Sequence, residues 1–366
     1  MIRNLLVLLS TIFAVVNAFN NHNENHGGYP TWFSKSNRML LSNFNDVVQP
    51  NVTVAKDGSG QFKTITEAIN SYPVKNRRDR FVIYVKAGIY NEYITIAKNK
   101  NNILLYGDGP TKTIITGSKA LNKEGTDKTM DTATFSTLAK DFTAKSITFE
   151  NTAGHDAGPA AALHVKGDRS AFFDCGIHGY QDTLYVHTLR QFYRDCEISG
   201  TTDFIFGHST TLIQNSKIIV RKPGPNHTNI VVADGTATMN AVTGIVLQNC
   251  SIMPDNELYP TRLTVKTYLA RPWRPYSRAV FVNNFMGDLI QPDGYSIWGP
   301  NETHIENCYF AEFGSTGPGA NSQARVKWSK GLISKEEATK FTAQPWLQAN
   351  TWLPATGIPF SSDLEA

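Results

Sequence analysis

Apolar and polar positions along this chain fall into short β-type runs that stop at Gly, Asn or Asp, as brief strands joined by tight turns do. Runs at 81–86, 93–96, 103–106 and 113–116 set this style. Helical periodicity is confined to 64–71 and to a segment at 334–341 that opens with Ser334 as an N-cap. Between these ends the pattern repeats itself. Asp or Asn, a small residue, any residue and an apolar residue recur as Asp174-Cys175-Gly176-Ile177, Asp195-Cys196-Glu197-Ile198, Asn215-Ser216-Lys217-Ile218, Asn249-Cys250-Ser251-Ile252 and Asn307-Cys308-Tyr309-Phe310.

The first two intervals of this repeat are 21 and 20 residues, the later ones 34 and 58. The long ones need inserted loops and a skipped turn, for which Asn283-Asn284-Phe285-Met286 is the candidate. Propeller blades run roughly 40–50 residues, so this period does not suit them. An all-β sandwich would leave the near-constant early period unexplained. Short strands about 20 residues apart, with aligned small and apolar positions, predict an all-β parallel β-helix in which each coil buries its apolar side by stacking on the next.

Two aspartates sit at matching places in consecutive copies: Asp182 lies seven residues after Cys175, and Asp203 seven after Cys196. Neighbouring coils would bring them about 4.8 Å apart in strand spacing. Two carboxyls that close cannot both ionise freely, and their pKa values separate. Tyr185 and Phe206 follow at matching offsets and would stack. Arg271, in Leu269-Ala270-Arg271-Pro272-Trp273, could hold one carboxylate charged while its neighbour keeps a proton. Such a pair serves a retaining glycosidase, whose carboxyls stand about 5 Å apart. It equally serves ester opening, with a carboxylate nucleophile and a carboxylic acid that protonates the departing alcohol. A structural polar ladder would use the same stacking, and spacing alone does not separate the three.

Composition narrows the setting. The 366 residues carry a net charge of +4, with basic residues dispersed rather than clustered, and no nucleic-acid motif or stripe emerges. Such a mildly basic protein could instead be held by an acidic extracellular polymer. Arg3, the apolar run from Leu5 to Val16 and Val16-Asn17-Ala18 predict a signal peptide over 1–18, too short to span a bilayer. Residues 19–49 are polar and aperiodic and read as a linker or short pro-segment, with the ordered domain at 50–366. Asn51, Asn226, Asn249 and Asn301 head N-glycosylation sequons, Asn249 inside an apparent strand and so a poor acceptor. The four cysteines, 175, 196, 250 and 308, match no zinc pattern and read as small buried side chains.

Several segments then resemble plant pectin methylesterases: Gly179-Tyr180-Gln181-Asp182-Thr183-Leu184-Tyr185, Arg190 to Cys196, Asp203-Phe204-Ile205-Phe206-Gly207, Arg271-Pro272-Trp273, Ala55 to Lys63, Gly317-Pro318-Gly319-Ala320 and Trp352 to Gly357. The likeness runs from about 50 to 360, with the motifs in family order. It implies a right-handed parallel β-helix with short peripheral helices and chemistry without metal or cofactor. The implied substrate is methyl-esterified homogalacturonan (pectin) in the cell wall. It also implies a monomer and, as a second partner, a proteinaceous inhibitor; it implies neither nucleic acid nor membrane.

Residue by residue, the resemblance makes Asp203 the nucleophile and Asp182 the acid, then base. It makes Gln181 an oxyanion donor and Arg271 the residue that positions the nucleophile. Trp273 becomes a sugar platform and Thr129 a substrate contact, with Tyr180, Phe204, Tyr295 and Trp298 as groove walls. Where the family has His-Gln-Ala-Val-Ala-Leu, this chain reads Gly158-Pro159-Ala160-Ala161-Ala162-Leu163. Pro159 therefore stands at the place of a second oxyanion Gln, with no amide and no N–H to donate. This motivates an alternative reading as a weakly active or inactive pectin-binding wall protein. Ser216 replaces a family cysteine, leaving Cys175 and Cys196 as the pair adjacent coils could bridge. Residues 29–41 resemble the linker of forms with an inhibitor-like helical domain, which this chain is expected to lack.

Overall fold

In the computed structural model, residues 49–74, 79–121, 126–299 and 305–364 are described. The expected signal peptide, nearly all of the expected linker and the sequon at Asn301 lie outside them. Within the described residues the strands form three parallel sheets of eleven, eight and seven strands, each sheet taking one strand from nearly every coil. The architecture is a right-handed parallel β-helix. Register shows the coil length directly. Ser170 pairs with Gln191 and Gln191 with Thr211, whereas Thr211 pairs with Ile245 and Ile245 with Ala279. The early coils thus advance by 21 and 20 residues and the later ones by 34. The skipped turn is where the sequence places it, because Phe285 and Met286 pair with Ser251 and Ile252.

The repeat has a conformational cause. Asp174, Asp195, Asn215, Asn249 and Asn283 all have φ between 50° and 56°. Asp and Asn enter this left-handed region more readily than other side-chain-bearing residues, so they mark the coil corner between two sheets. The next position faces inward, and Cys175, Cys196, Ser216, Cys250 and Asn284 form a buried column there. The fifth expected copy, Asn307-Cys308-Tyr309-Phe310, is out of register: Tyr309 opens a strand opposite Arg278, and because Val282 pairs with Phe313 the next corner falls at Gly314, with φ of 62°. All four cysteines are free, so the Cys175–Cys196 bridge is not made. Beside the column, Ile177, Ile198, Ile218, Ile252 and Met286 pair in register and fill the coil interior. Asn249 is exposed at a corner between Gly244–Gln248 and Ser251–Pro254, not within a strand as its sequence suggests.

The helix at Ile65–Asn70 opens with a capping box between Thr64 and Glu67 and buries Ile65, Ala68 and Ile69 on the same core. At the other end, Ser334 caps Lys335–Thr339. A second helix, Ala343–Leu347, which periodicity does not reveal, anchors through Trp346 Nε1 donating to the Thr211 carbonyl at 3.0 Å. No helix among the described residues is long and apolar enough to cross a membrane.

Candidate active cleft

The seven-stranded sheet carries the chemistry on its outer face. Leu184–Val186 pairs with Ile205–Gly207, which pairs in turn with Asn229–Asp234, and that strand with Thr267–Pro272. Asp182 and Asp203 each lie two residues before equivalent positions of the first two strands, on corners of their own with φ of 62° and 53°. Asp182 N donates to the Thr202 carbonyl at 3.1 Å, which ties the two corners together. Two coils on from Asp203, Arg271 closes a fork on it. Nε donates to Oδ1 at 2.7 Å and Nη2 donates to Oδ2. The Arg271 guanidinium also lies over the Trp298 ring, with Cζ 4.2 Å from its centroid.

Both carboxyls are nearly buried, with 9% of Asp182 and 4% of Asp203 exposed. Burial pushes Asp182 well above the ordinary carboxyl range and the Asp203 charge pushes it further, with Arg271 opposing. Burial raises Asp203 as well, and its fork with Arg271 offsets only part of that rise. Of the two, Asp203 has the cation forked onto it and ionises more readily, and Asp182 holds its proton more tightly.

A cavity of about 370 Å³ encloses this pair. Its walls include Thr129, Pro159, Gln181, Arg271, Trp273 and Trp298. Its floor is aromatic: Tyr185 stacks on Phe206 at 4.3 Å, and Phe206 meets Trp273 edge-on at 6.1 Å. Gly235 is required beneath the platform, since a Cβ there would stand 2.5 Å from the Trp273 ring. Pro159 lines the cavity beside Gln181, and Ala160 N donates to the Gln181 carbonyl at 3.1 Å.

The structure thus brings together Asp182, Asp203, Gln181, Arg271, Thr129, Trp273 and Trp298. It does not bring the other expected wall residues. Phe204 is 0% exposed and packs inside the coil, because the left-handed turn at Asp203 directs the following side chain inward. Phe206, two positions on, faces the cleft instead. Tyr295 is 1% exposed, in the core against Phe281, Phe310 and Trp328, with its hydroxyl on Glu312 at 3.1 Å. Tyr180 lies outside both cavity linings; Arg221 stacks on its ring at 3.8 Å and donates to its hydroxyl at 2.7 Å.

A second cavity, of about 500 Å³, shares Gln181, Arg271 and Trp298 with the first. It extends over Asn226, His227, Lys266, Tyr268 and Ile297 and has no carboxylate in its lining. The sequence reading missed this half. It is built by the loops inserted after 220 and 254, which follow no repeat that could place them. Among the described residues no group of three or more His, Cys, Asp or Glu is clustered to hold a metal.

Fold and cleft together define a β-helix whose outer sheet face sets an arginine-clamped aspartate beside a second one that lacks the clamp. The chain belongs to the pectinesterase family: the family model described as Pectinesterase matches residues 51–350. A petunia (Petunia integrifolia) protein named Pectinesterase is 45% identical over 89% of this chain and 87% of its own length. Pectinesterase 4 of Arabidopsis thaliana is 44% identical over 92% of this chain. The chain spans 59% of that relative's length and about three fifths of several other curated relatives. Among solved structures, pectin methylesterase from carrot superposes with a TM-score of 0.83 at 42% identity, covering 87% of this chain and 99% of its own.

Proposed function

We propose that this chain is a secreted carboxylic ester hydrolase that demethylates homogalacturonan in the cell wall and releases methanol. The observation that carries the reading is the asymmetric pair: two aspartates on matched corners, with Arg271 forked onto Asp203 alone. An ionised Asp203 attacks the methyl-ester carbonyl carbon, and Gln181 donates to the oxyanion that forms. The C–O bond to methoxide breaks as Asp182 gives its proton to the departing methanol. Asp182, now a base, takes a proton from water, and the hydroxide opens the mixed anhydride. The products are a galacturonate carboxyl and a free Asp203 carboxylate. Arg271 positions Asp203 throughout, Trp273 offers an aromatic face to a sugar ring, and Thr129 contacts the chain at the rim. No step calls for a metal or cofactor.

The cavity rich in Lys266, His227 and Arg271 supports retention of the pectate product and hence block-wise action along the polymer. Proteinaceous inhibition, a monomeric state, removal of 1–18 as a signal peptide and the separate 19–49 segment belong to the same proposal. Pro159 in the catalytic cavity favours a second reading, a pectin-binding protein with weak or no turnover. Purified protein on methylated pectin separates the two. Methanol release that falls by more than about 10³-fold in Asp203→Ala is the expected result. Equal release by the variant would defeat the mechanism, absent release by both would favour the binding protein, and chain shortening without methanol would point to a glycosidase.

A further inference from the structure

Of the sequon asparagines that are described, one stands in the wall of the cleft. Asn51 is tied to the edge strand, its Oδ1 accepting from Val82 N at 2.8 Å. Asn249 sits in the corner ladder and donates from Nδ2 to Asn215 Oδ1 at 3.0 Å. Asn226 differs from both. It is exposed at the tip of a turn closed by His227 N donating to the Gly224 carbonyl at 3.1 Å, with φ of 61°. Pro225 before it and the positive φ define a type II turn, a projecting shape that presents the side chain to solvent. Its side chain enters none of the hydrogen bonds found among the described residues. Thr228 completes the sequon, and Asn226, His227 and Thr228 all line the cationic cavity.

We propose that Asn226 carries an N-linked glycan and that this glycan occupies the mouth of the cationic cavity, competing there with the polymer. The proposal rests on the secreted reading, which supplies the co-substrate, a polyprenyl-diphosphate oligosaccharide. In the transfer Asn226 Nδ2 loses one proton and bonds to C1 of N-acetylglucosamine, while the C1–O bond to diphosphate breaks and the diphosphate leaves. Folding does not oppose the product, since the turn tip faces open solvent. The first sugars would then lie beside Lys266, Tyr268, Ile297 and Trp298, which is 39% exposed. Exposed aromatic and aliphatic faces of this kind pack against sugar rings. The carboxylate cavity shares only Gln181, Arg271 and Trp298 with this one, so a short ester can reach Asp203 while a long chain meets the glycan.

The consequence is a length-dependent gate. Glycosylation at Asn226 would weaken binding of polymer and leave small substrates alone. The test uses the full chain secreted from plant cells, mapped by glycopeptide mass spectrometry. The expected result is a glycan on the Asn226 peptide in the majority of molecules. Polymer affinity of that protein is then compared with Asn226→Gln, using pectate and a galacturonate methyl ester of two or three sugars as probes. Loss of the glycan should tighten polymer binding by about threefold or more and leave the short ester within error. The same pair made in bacteria, without glycan, should show equal affinities, which separates the sugar from the side chain. A secreted protein glycosylated elsewhere but bare at Asn226 overturns the proposal while secretion stands. Occupancy with equal polymer affinity overturns the gate. A chain that never reaches the medium defeats the secreted reading and this proposal together. Mapping and binding need no turnover, so an inactive enzyme would bear on the esterase reading alone.

Discussion

The corners at Asp182 and Asp203 are copies of one another, yet the two carboxyls do not share an electrostatic setting. Both have left-handed φ, both belong to the same repeat, and both are nearly buried. What separates them lies outside the repeat. Arg271 arrives from two coils further on and forks onto Asp203, whereas Asp182 meets only the field of its neighbour and a weaker share of the same arginine. A solenoid makes two equal positions, and a single side chain from a distant coil makes them unequal. What stacks above each carboxyl, not the corner itself, thus sets how readily each ionises.

Removing the source of the asymmetry should have the largest effect. Arg271→Gln leaves Asp203 buried without its cation, so its pKa follows Asp182 upward and both carboxyls hold protons at mildly acidic pH. Methanol release should fall by about 10²–10³ in kcat, with the acid limb of the pH profile displaced to higher pH. Arg271→Lys keeps a charge without the fork and should fall between. An acid limb that stays in place in Arg271→Gln would mean that Arg271 does not set the difference between the corners. The wild-type profile should be bell-shaped, its acid limb reporting ionisation of Asp203 and its alkaline limb loss of the Asp182 proton.

Pro159 tests a milder inequality, between two neighbouring residues of the cavity wall. Gln181 brings a side-chain amide to the cavity, and Pro159 beside it brings a ring with no donor. Losing one oxyanion donor costs about 10²–10³ in rate, and Pro159→Gln should recover up to about 10² in kcat with little change in KM. The Pro159 carbonyl already accepts from Leu121 N at 2.8 Å, a bond that glutamine keeps. An unchanged kcat would show that Gln181 alone suffices.

Sequence gave access to the corners more readily than to what surrounds them. Asp182 and Asp203 are legible because their positions recur with Cys175 and Cys196, and repetition survives without any knowledge of side-chain direction. Trp273 and Arg271 were reachable through the family motif. Phe204 was not placed correctly, because strand alternation is interrupted by the left-handed turn just before it and the inward and outward positions exchange. Tyr295 bridges Ala270 and so continues the inward column of Leu184, Ile205, Val232 and Ala270, a register that the repeated motif does not mark in the sequence. Lys266 and His227 carry no local signal at all. The cavity they line exists only because two unrelated loops meet beside Arg271.

A third carboxyl sharpens the contrast and carries the smallest effect. Asp234 pairs in register with Gly207, on the strand between the Asp203 coil and that of Arg271, and is 0% exposed. One of its oxygens accepts from Thr236 N at 3.0 Å and Arg278 N at 2.8 Å, and the other has no hydrogen-bond partner. Burial outweighs those bonds and raises its pKa to about 6. The sign follows from proton counting. Between the unfolded value near 3.8 and the folded value near 6, the folded chain binds the extra proton, so stability falls as pH rises through that window. Below it both states are protonated, and above it both are charged. Asp234→Asn should flatten the fall and leave the variant less pH-sensitive by about 1–3 kcal/mol across the window, read from denaturant melts at several pH values. Because Asp234 lines neither cavity, the same variant should keep its catalytic pH profile. A shift of that profile together with the stability curve would mean that the buried carboxyls titrate as one group, and the distinction between the Asp182 and Asp203 corners could not then rest on Arg271 alone.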